Sequence, residues 1–326
     1  MKKKLLITCF ITYFSLSNFA HAQLGEFGKK MLDKGTELAA NGGLNKLIKQ
    51  PAAITTNFKD ADKTGSKPPS FMNDEKALPL SALPKAPEGG YILSAGLFES
   101  TNKSYCLHAG TRGPSKGDGY MFTPTLGPKK EVVTAILKSA EKHPKVAQRS
   151  IQVLLWAIIA RTHFADFSND IKLTATTLLT PAELLKLEGG SLGILPASMI
   201  QNAKSKLPDG VQKVFEAENN IRRLAASGNA SYEEMEKYAI LTGIAPQPDP
   251  EVPSGIWSLH PDGYYIRYFP SSYSITRVQI YVPKELITKV ATDHKTLIYD
   301  ATNTIACPAN VGAQRLAQTN EPLKDH

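Results

Sequence analysis

The 326-residue chain reads as an α+β protein: a mostly helical domain opened by a β-hairpin, followed by a small antiparallel β-module. Three observations predict this. From residue 129 to about 240, apolar side chains recur at three- and four-residue spacing between recognisable caps, which is the pattern of amphipathic helices. After the proline-rich stretch "APQPDPEVPSG" the pattern changes to alternation with many aromatics, which is the pattern of strands. Ahead of the helices, "GGYILSAGLFESTNKSYCLHAG" looks like two strands around a turn, with "STNK" as the turn chemistry.

Taken in order, the chain begins "MKKKLLITCFITYFSLSNFAHAQL". Lysines, an apolar stretch too short to span a membrane, and a small-x-small Ala20-His21-Ala22 site predict a signal peptide over residues 1–22 and an exported protein. Residues 23–88 form an N-terminal helical arm and a Pro-rich linker. Residues 89–249 form the α+β domain. Within it, "KKEVVTAILKSAEK" carries an apolar stripe, and residues 145–164 make a second helix, far more apolar. "TPAELLKLEGG" has Thr180 as cap, Pro181 first, Glu183 closing a capping box and Gly189 at the end. "SYEEMEKYAILTG" repeats the device with Ser231 and Glu234. Residues 250–312 are the β-module, with turns at Pro261-Asp262-Gly263 and at the serines near 271. Residues 313–326 read as a disordered tail.

Removal of the signal with its three lysines takes the formal net charge from +8 to +5. The remainder is spread out, with no basic-aromatic interleaving, so nucleic acid is not an expected partner. No second long apolar run predicts a transmembrane segment. The loop "GTRGPSKGDGY" tempts a phosphate-loop reading, but Lys116 is followed by Gly117 rather than a hydroxyl residue. His260 and the scattered acidic residues have no metal-ligand spacing, and no cofactor is implied.

Cysteine chemistry carries the functional reading. Cys106 and Cys307 are the only cysteines beyond the signal. Cys106 lies in "YCL", and Gln152 lies alone on the greasy helix "QRSIQVLLWAI". A buried carboxamide must find partners, because leaving it unpaired costs about 1–3 kcal/mol. It either bonds backbone from a neighbouring loop or meets the Cys106 thiol. A thiol held against a glutamine side chain can displace ammonia and form an internal thioester, which an external amine then opens. Tyr105 and Trp156 would shield such a bond, the loop with Lys116 would gate it, and His108 would assist proton transfer.

An aromatic-Cys-aliphatic strand motif followed by a helical Gln, three mostly apolar residues and Trp resembles the thioester-domain adhesins of bacterial surfaces. The match is "YCL" at 105–107 and "QVLLW" at 152–156, within residues 89–170. The resemblance implies that Cys106 and Gln152 are the thioester partners and that the target is an amine-bearing protein or surface ligand. Other readings stay open. A Cys106–Cys307 disulfide would suit a non-enzymatic envelope protein. Cys106 could be a hydrolase nucleophile with His108, His143, His163 or His260 as base. The aromatic β-module, from Trp257 to Tyr281, could bind sugars or a partner.

Overall fold

A computed structural model describes residues 50–63, 76–115, 117–189, 191–192, 201, 209–228, 231–241, 252–309 and 312–323. The expected signal peptide and N-terminal helices lie outside the described residues. Nearly all described residues belong to one unit, Pro51–Leu195 with Pro208–His326.

The centre of this unit is a sheet, which corrects the expectation of a mostly helical domain. Among the described residues ten strands are formed: β1 (Leu78–Pro79), β2 (Tyr91–Ile92), β3 (Gly96–Cys106), β4 (Tyr120–Pro124), β5 (Ser258–Leu259), β6 (Tyr265–Pro270), β7 (Ile275–Val282), β8 (Ile298–Tyr299), β9 (Thr304–Pro308) and β10 (Leu316–Pro322). Seven of them run in the order β4-β9-β10-β3-β7-β6-β5, with β1 added beside β3; β2 and β8 form a separate pair. All pairs are antiparallel except β1 with β3. The ends of the order approach one another: the Phe122 N–H on β4 donates to Ser258 Oγ on β5 at 2.9 Å. The sheet is therefore a nearly closed barrel, which leaves few open edges.

Three sequence expectations change with it. The β-module is not a separate body, because β5, β6, β7, β9 and β10 complete one sheet with β3 and β4. The expected tail contains β10, which lies between β9 and β3 and is buried from Leu316 to Asn320. The expected hairpin at "STNK" is instead the middle of β3, an unbroken strand of 11 residues. Turn-forming residues survive there because the barrel interior satisfies them. Ser100 Oγ donates to Asn102 Oδ1 at 2.6 Å, and Thr276 Oγ1 donates to Ser104 Oγ at 3.0 Å. Local turn chemistry loses to long-range pairing.

Among the described residues seven helices pack around the barrel: α1 (Lys130–Lys142), α2 (Gln148–Ile159), α3 (Asn169–Leu178), α4 (Pro181–Glu188), α5 (Asp209–Ala226), α6 (Tyr232–Ala239) and α7 (Lys284–Thr292). The expected caps form. Thr180 and Glu183 make the reciprocal capping box of α4, and Ser231 Oγ accepts from the Glu234 N–H at the start of α6. The segment read as a linker is docked where it is described: Ala53, Ile54 and Thr56 are buried, and Thr56 Oγ1 donates to the Pro124 carbonyl at 2.9 Å. Among the described residues no helix is long and apolar enough to cross a membrane.

Candidate functional site

Helix α2 is buried nearly all round, from Ile151 to Ile159, as its composition requires. Its C-terminal end is fixed by Arg222 Nη1, which donates to the Ala160 carbonyl at 2.6 Å. Arg161, at φ 60, turns the chain out of the helix and donates to Glu218 Oε2 at 2.5 Å. Guanidinium groups buried this deeply hold their place through such pairing.

At the other end two glutamines one turn apart face the backbone of β3. Gln148 Nε2 donates to the Ser104 carbonyl at 3.1 Å and to the Ser274 carbonyl at 2.9 Å. Gln152 Oε1 accepts from the Cys106 N–H at 2.8 Å, while its Nε2 donates to the Cys106 carbonyl at 3.2 Å. The spacing matches. Four helical residues rise about 6 Å, and two strand residues about 6.7 Å. Strand β7 pairs with β3 only as far as Ile275 opposite Lys103. Beyond that point the Gln152 carboxamide takes the place of a peptide group on the missing strand and satisfies both polar atoms of Cys106.

Cys106 itself is fully buried and free, and burial pushes its thiol well above the usual range, with the nearby Glu236 carboxylate adding to the effect. Its side chain shares the inner barrel face with Leu316, its direct partner on β10. Leu316 is also opposite Ala306 on β9, so the neighbouring Cys307 points to the other face. Two strand intervals put Cys106 and Cys307 about 10 Å apart, beyond the roughly 7 Å that a disulfide spans. Both are free, so the disulfide reading is corrected: β10 separates the pair.

The remaining candidates divide. Trp156 is fully buried one turn beyond Gln152, its ring 5.2 Å from that of Tyr232. Tyr105 alternates to the outer face of β3, beside Ala140 of α1 and Ile151 of α2, so it shields the strand rather than the sulfur. His108 has a buried Nδ1 without a partner; burial and Arg315 lower its pKa to about 3, so it is neutral at physiological pH. Among the described residues it makes no hydrogen bond to Cys106 or Gln152. Lys116 lies outside the described residues. The described part of its loop is pinned, since Arg112 donates to both carboxylate oxygens of Asp118 at 2.6 Å. Gly110, at φ +72, lets the chain pass close over α5, where a Cβ would stand 3.0 Å from the Lys213 carbonyl.

The sequence reading missed a cavity of about 180 Å³ beside Gln152, walled by Ser104, Gln148, Arg149, Tyr232, Tyr273 and Ser274. Tyr232 and Tyr273 share a hydrogen bond at 2.7 Å between hydroxyls, and the Tyr273 hydroxyl donates in turn to Glu236 Oε1. Tyr232 and Glu236 are one turn apart on α6, a spacing visible in "SYEEMEKY" but meaningful only once α6 is placed beside β3. Among the described residues no group of three or more His, Cys, Asp or Glu side chains could hold a metal. Comparison of the chain with known protein families, with characterised proteins and with solved structures finds no match.

Proposed function

We propose that the chain is an exported protein that forms an internal thioester between Cys106 Sγ and Gln152 Cδ and uses it to attach covalently to amine-bearing targets. The observation that carries this reading is the buried carboxamide of Gln152 hydrogen-bonded to the backbone of the one cysteine beside it. The Cys106 N–H on Oε1 polarises the carbonyl and is placed to stabilise the oxyanion as sulfur adds to Cδ. The Sγ–Cδ bond forms, the Cδ–Nε2 bond breaks, and ammonia leaves with the thiol proton. Capture runs the same path with a new partner. The amine nitrogen bonds to Cδ, sulfur departs, and the amine's surplus proton returns Cys106 to the thiol. The target is then held by an amide bond on the side chain of residue 152. A raised thiol pKa suits this protein, because the released sulfur stays protonated and does not attack the amide again.

Intact mass of the purified protein tests the proposal. The expected value is the sequence mass, less any cleaved leader, lowered by one ammonia and restored with addition of methylamine to Gln152. Cys106→Ala and Gln152→Ala each abolish the addition, and Cys307→Ala leaves it intact. An unchanged mass, with no amine uptake, makes Gln152 a core amide that only replaces a strand.

A further inference from the structure

The thioester reading leaves a chemical need unfilled. An alkyl amine is protonated in water, and only its neutral form attacks a carbonyl carbon. A surplus proton must leave the nitrogen as the C–N bond forms, and the departing sulfur must gain one. His108 does not serve, since no hydrogen bond links it to Gln152 and its lowered pKa keeps it a poor proton acceptor. The cavity beside Gln152 contains a different set of groups.

Two tyrosines form its wall, and their hydroxyls are bonded in series to a carboxylate: Tyr232 to Tyr273, and Tyr273 to Glu236. Tyr232 is held from behind by the Trp156 ring and from outside by the Arg149 guanidinium, 4.8 Å from its ring centre. Arg149 is in turn paired with Glu233 at 2.7 Å on the exposed rim. Cys106 lies close enough to Glu236 for that charge to act on the thiol. The carboxylate is thus linked to the cavity wall through Tyr273 and acts on the thiol through its charge.

We propose that this cavity is the entry port for an unbranched primary amine and that the Tyr232–Tyr273–Glu236 chain accepts the proton the amine sheds on attack. The inference rests on the thioester reading. The ammonium group enters past the bonded tyrosine hydroxyls, and the carboxylate to which they connect draws it inward. The ammonium first gives one proton to water; as the neutral nitrogen bonds to Gln152 Cδ, its surplus proton passes through the tyrosine hydroxyls to Glu236 and the Cδ–Sγ bond breaks. Glu236 then returns the proton to sulfur. No oxidant or cofactor takes part. Crowding at Cδ selects the amine: a straight chain such as a lysine side chain approaches it end-on, and a branched carbon next to nitrogen blocks the approach. The titratable groups about Glu236 are Cys106 from β3, Tyr232 from α6 and Tyr273 from the β6–β7 turn, all neutral because their pKa values are raised, and the charged Arg149 from α2 lies farther out.

The test uses the full chain with methylamine, n-butylamine and tert-butylamine, following uptake by intact mass from pH 6 to 9. Wild-type protein is expected to take up the first two and to exclude the third. Glu236→Gln and Tyr273→Phe are expected to keep the ammonia deficit but to add n-butylamine at least tenfold more slowly at pH 7, with the loss shrinking as pH rises and hydroxide replaces the missing proton acceptor. Uptake by both variants at the wild-type rate overturns the inference. So does loss of the ammonia deficit in both at unchanged melting temperature, since the chain would then serve bond formation rather than capture. Absence of the deficit in the wild type rejects the thioester reading itself, a separately recognisable result.

Discussion

At the scale of single residues, Gln152 fills two buried hydrogen-bonding positions that the sheet leaves vacant. Removing its carboxamide strands the N–H and C=O of Cys106, each at about 1–3 kcal/mol. In a Cys106→Ala background, where no thioester forms, Gln152→Ala is expected to lower stability by about 2–5 kcal/mol. Urea titration of the two proteins measures the difference, and equal midpoints would show that water replaces the carboxamide. Two histidines make a second residue-level prediction. His108 and His260 are held to about 3 and about 4, in both cases chiefly by burial. The unfolded chain protonates each ring near 6.5, so the stability due to neutral rings is complete above that value. It is lost as pH falls toward the folded values, by up to about 1.4 kcal/mol per pH unit for each ring. Denaturation midpoints between pH 7 and 5 should fall, and His108→Gln should make the fall shallower.

At the scale of elements, the capped helices were legible because their signals are local. Thr180 with Glu183, Ser231 with Glu234, and the all-apolar run of α2 each act within a few residues. The two hairpins of β5–β6 and β6–β7 were legible for the same reason, since a Pro-Asp-Gly turn and a serine-rich turn need only their neighbours. Strand β3 was misread because Ser100 and Asn102 have turn chemistry in isolation; in the barrel Ser100 bonds Asn102, Asn102 reaches Gln318 on β10, and Ser104 accepts from Thr276 on β7, the last two partners more than 150 residues away. Strand β10 was misread because Gln318, Thr319 and Asn320 look solvated in sequence yet line a buried strand. The Cys106–Gln152 juxtaposition could be guessed from chemistry, but the Gln148 contact and the tyrosine pair depend on how α2 and α6 meet the sheet. A direct prediction follows for β10. A chain ending at Gly312 removes the strand between β9 and β3, and it is expected to show no cooperative thermal transition. A transition like that of the full chain would mean that β10 is dispensable.

At the scale of the whole molecule, α2 and the barrel are joined through residues 46 apart in sequence. A thioester between them closes that loop covalently. In the chain-entropy picture developed for disulfides, a loop of this size stabilises the fold by about 4 kcal/mol, because the unfolded chain loses freedom. Capture of an amine breaks the C–S bond and reopens the loop, while leaving the surrounding packing intact. The loaded protein is therefore expected to be the more stable form, and attachment to release the constraint. Methylamine treatment should lower the melting temperature by on the order of 10 °C, given about 2–4 °C per kcal/mol for a chain of this class. Cys106→Ala should melt close to the treated protein, since neither carries the cross-link, and should not respond to methylamine. Scanning calorimetry of the three samples reads this directly. A treated wild type that melts with the untreated one would show that no covalent bond joined α2 to β3 at the start.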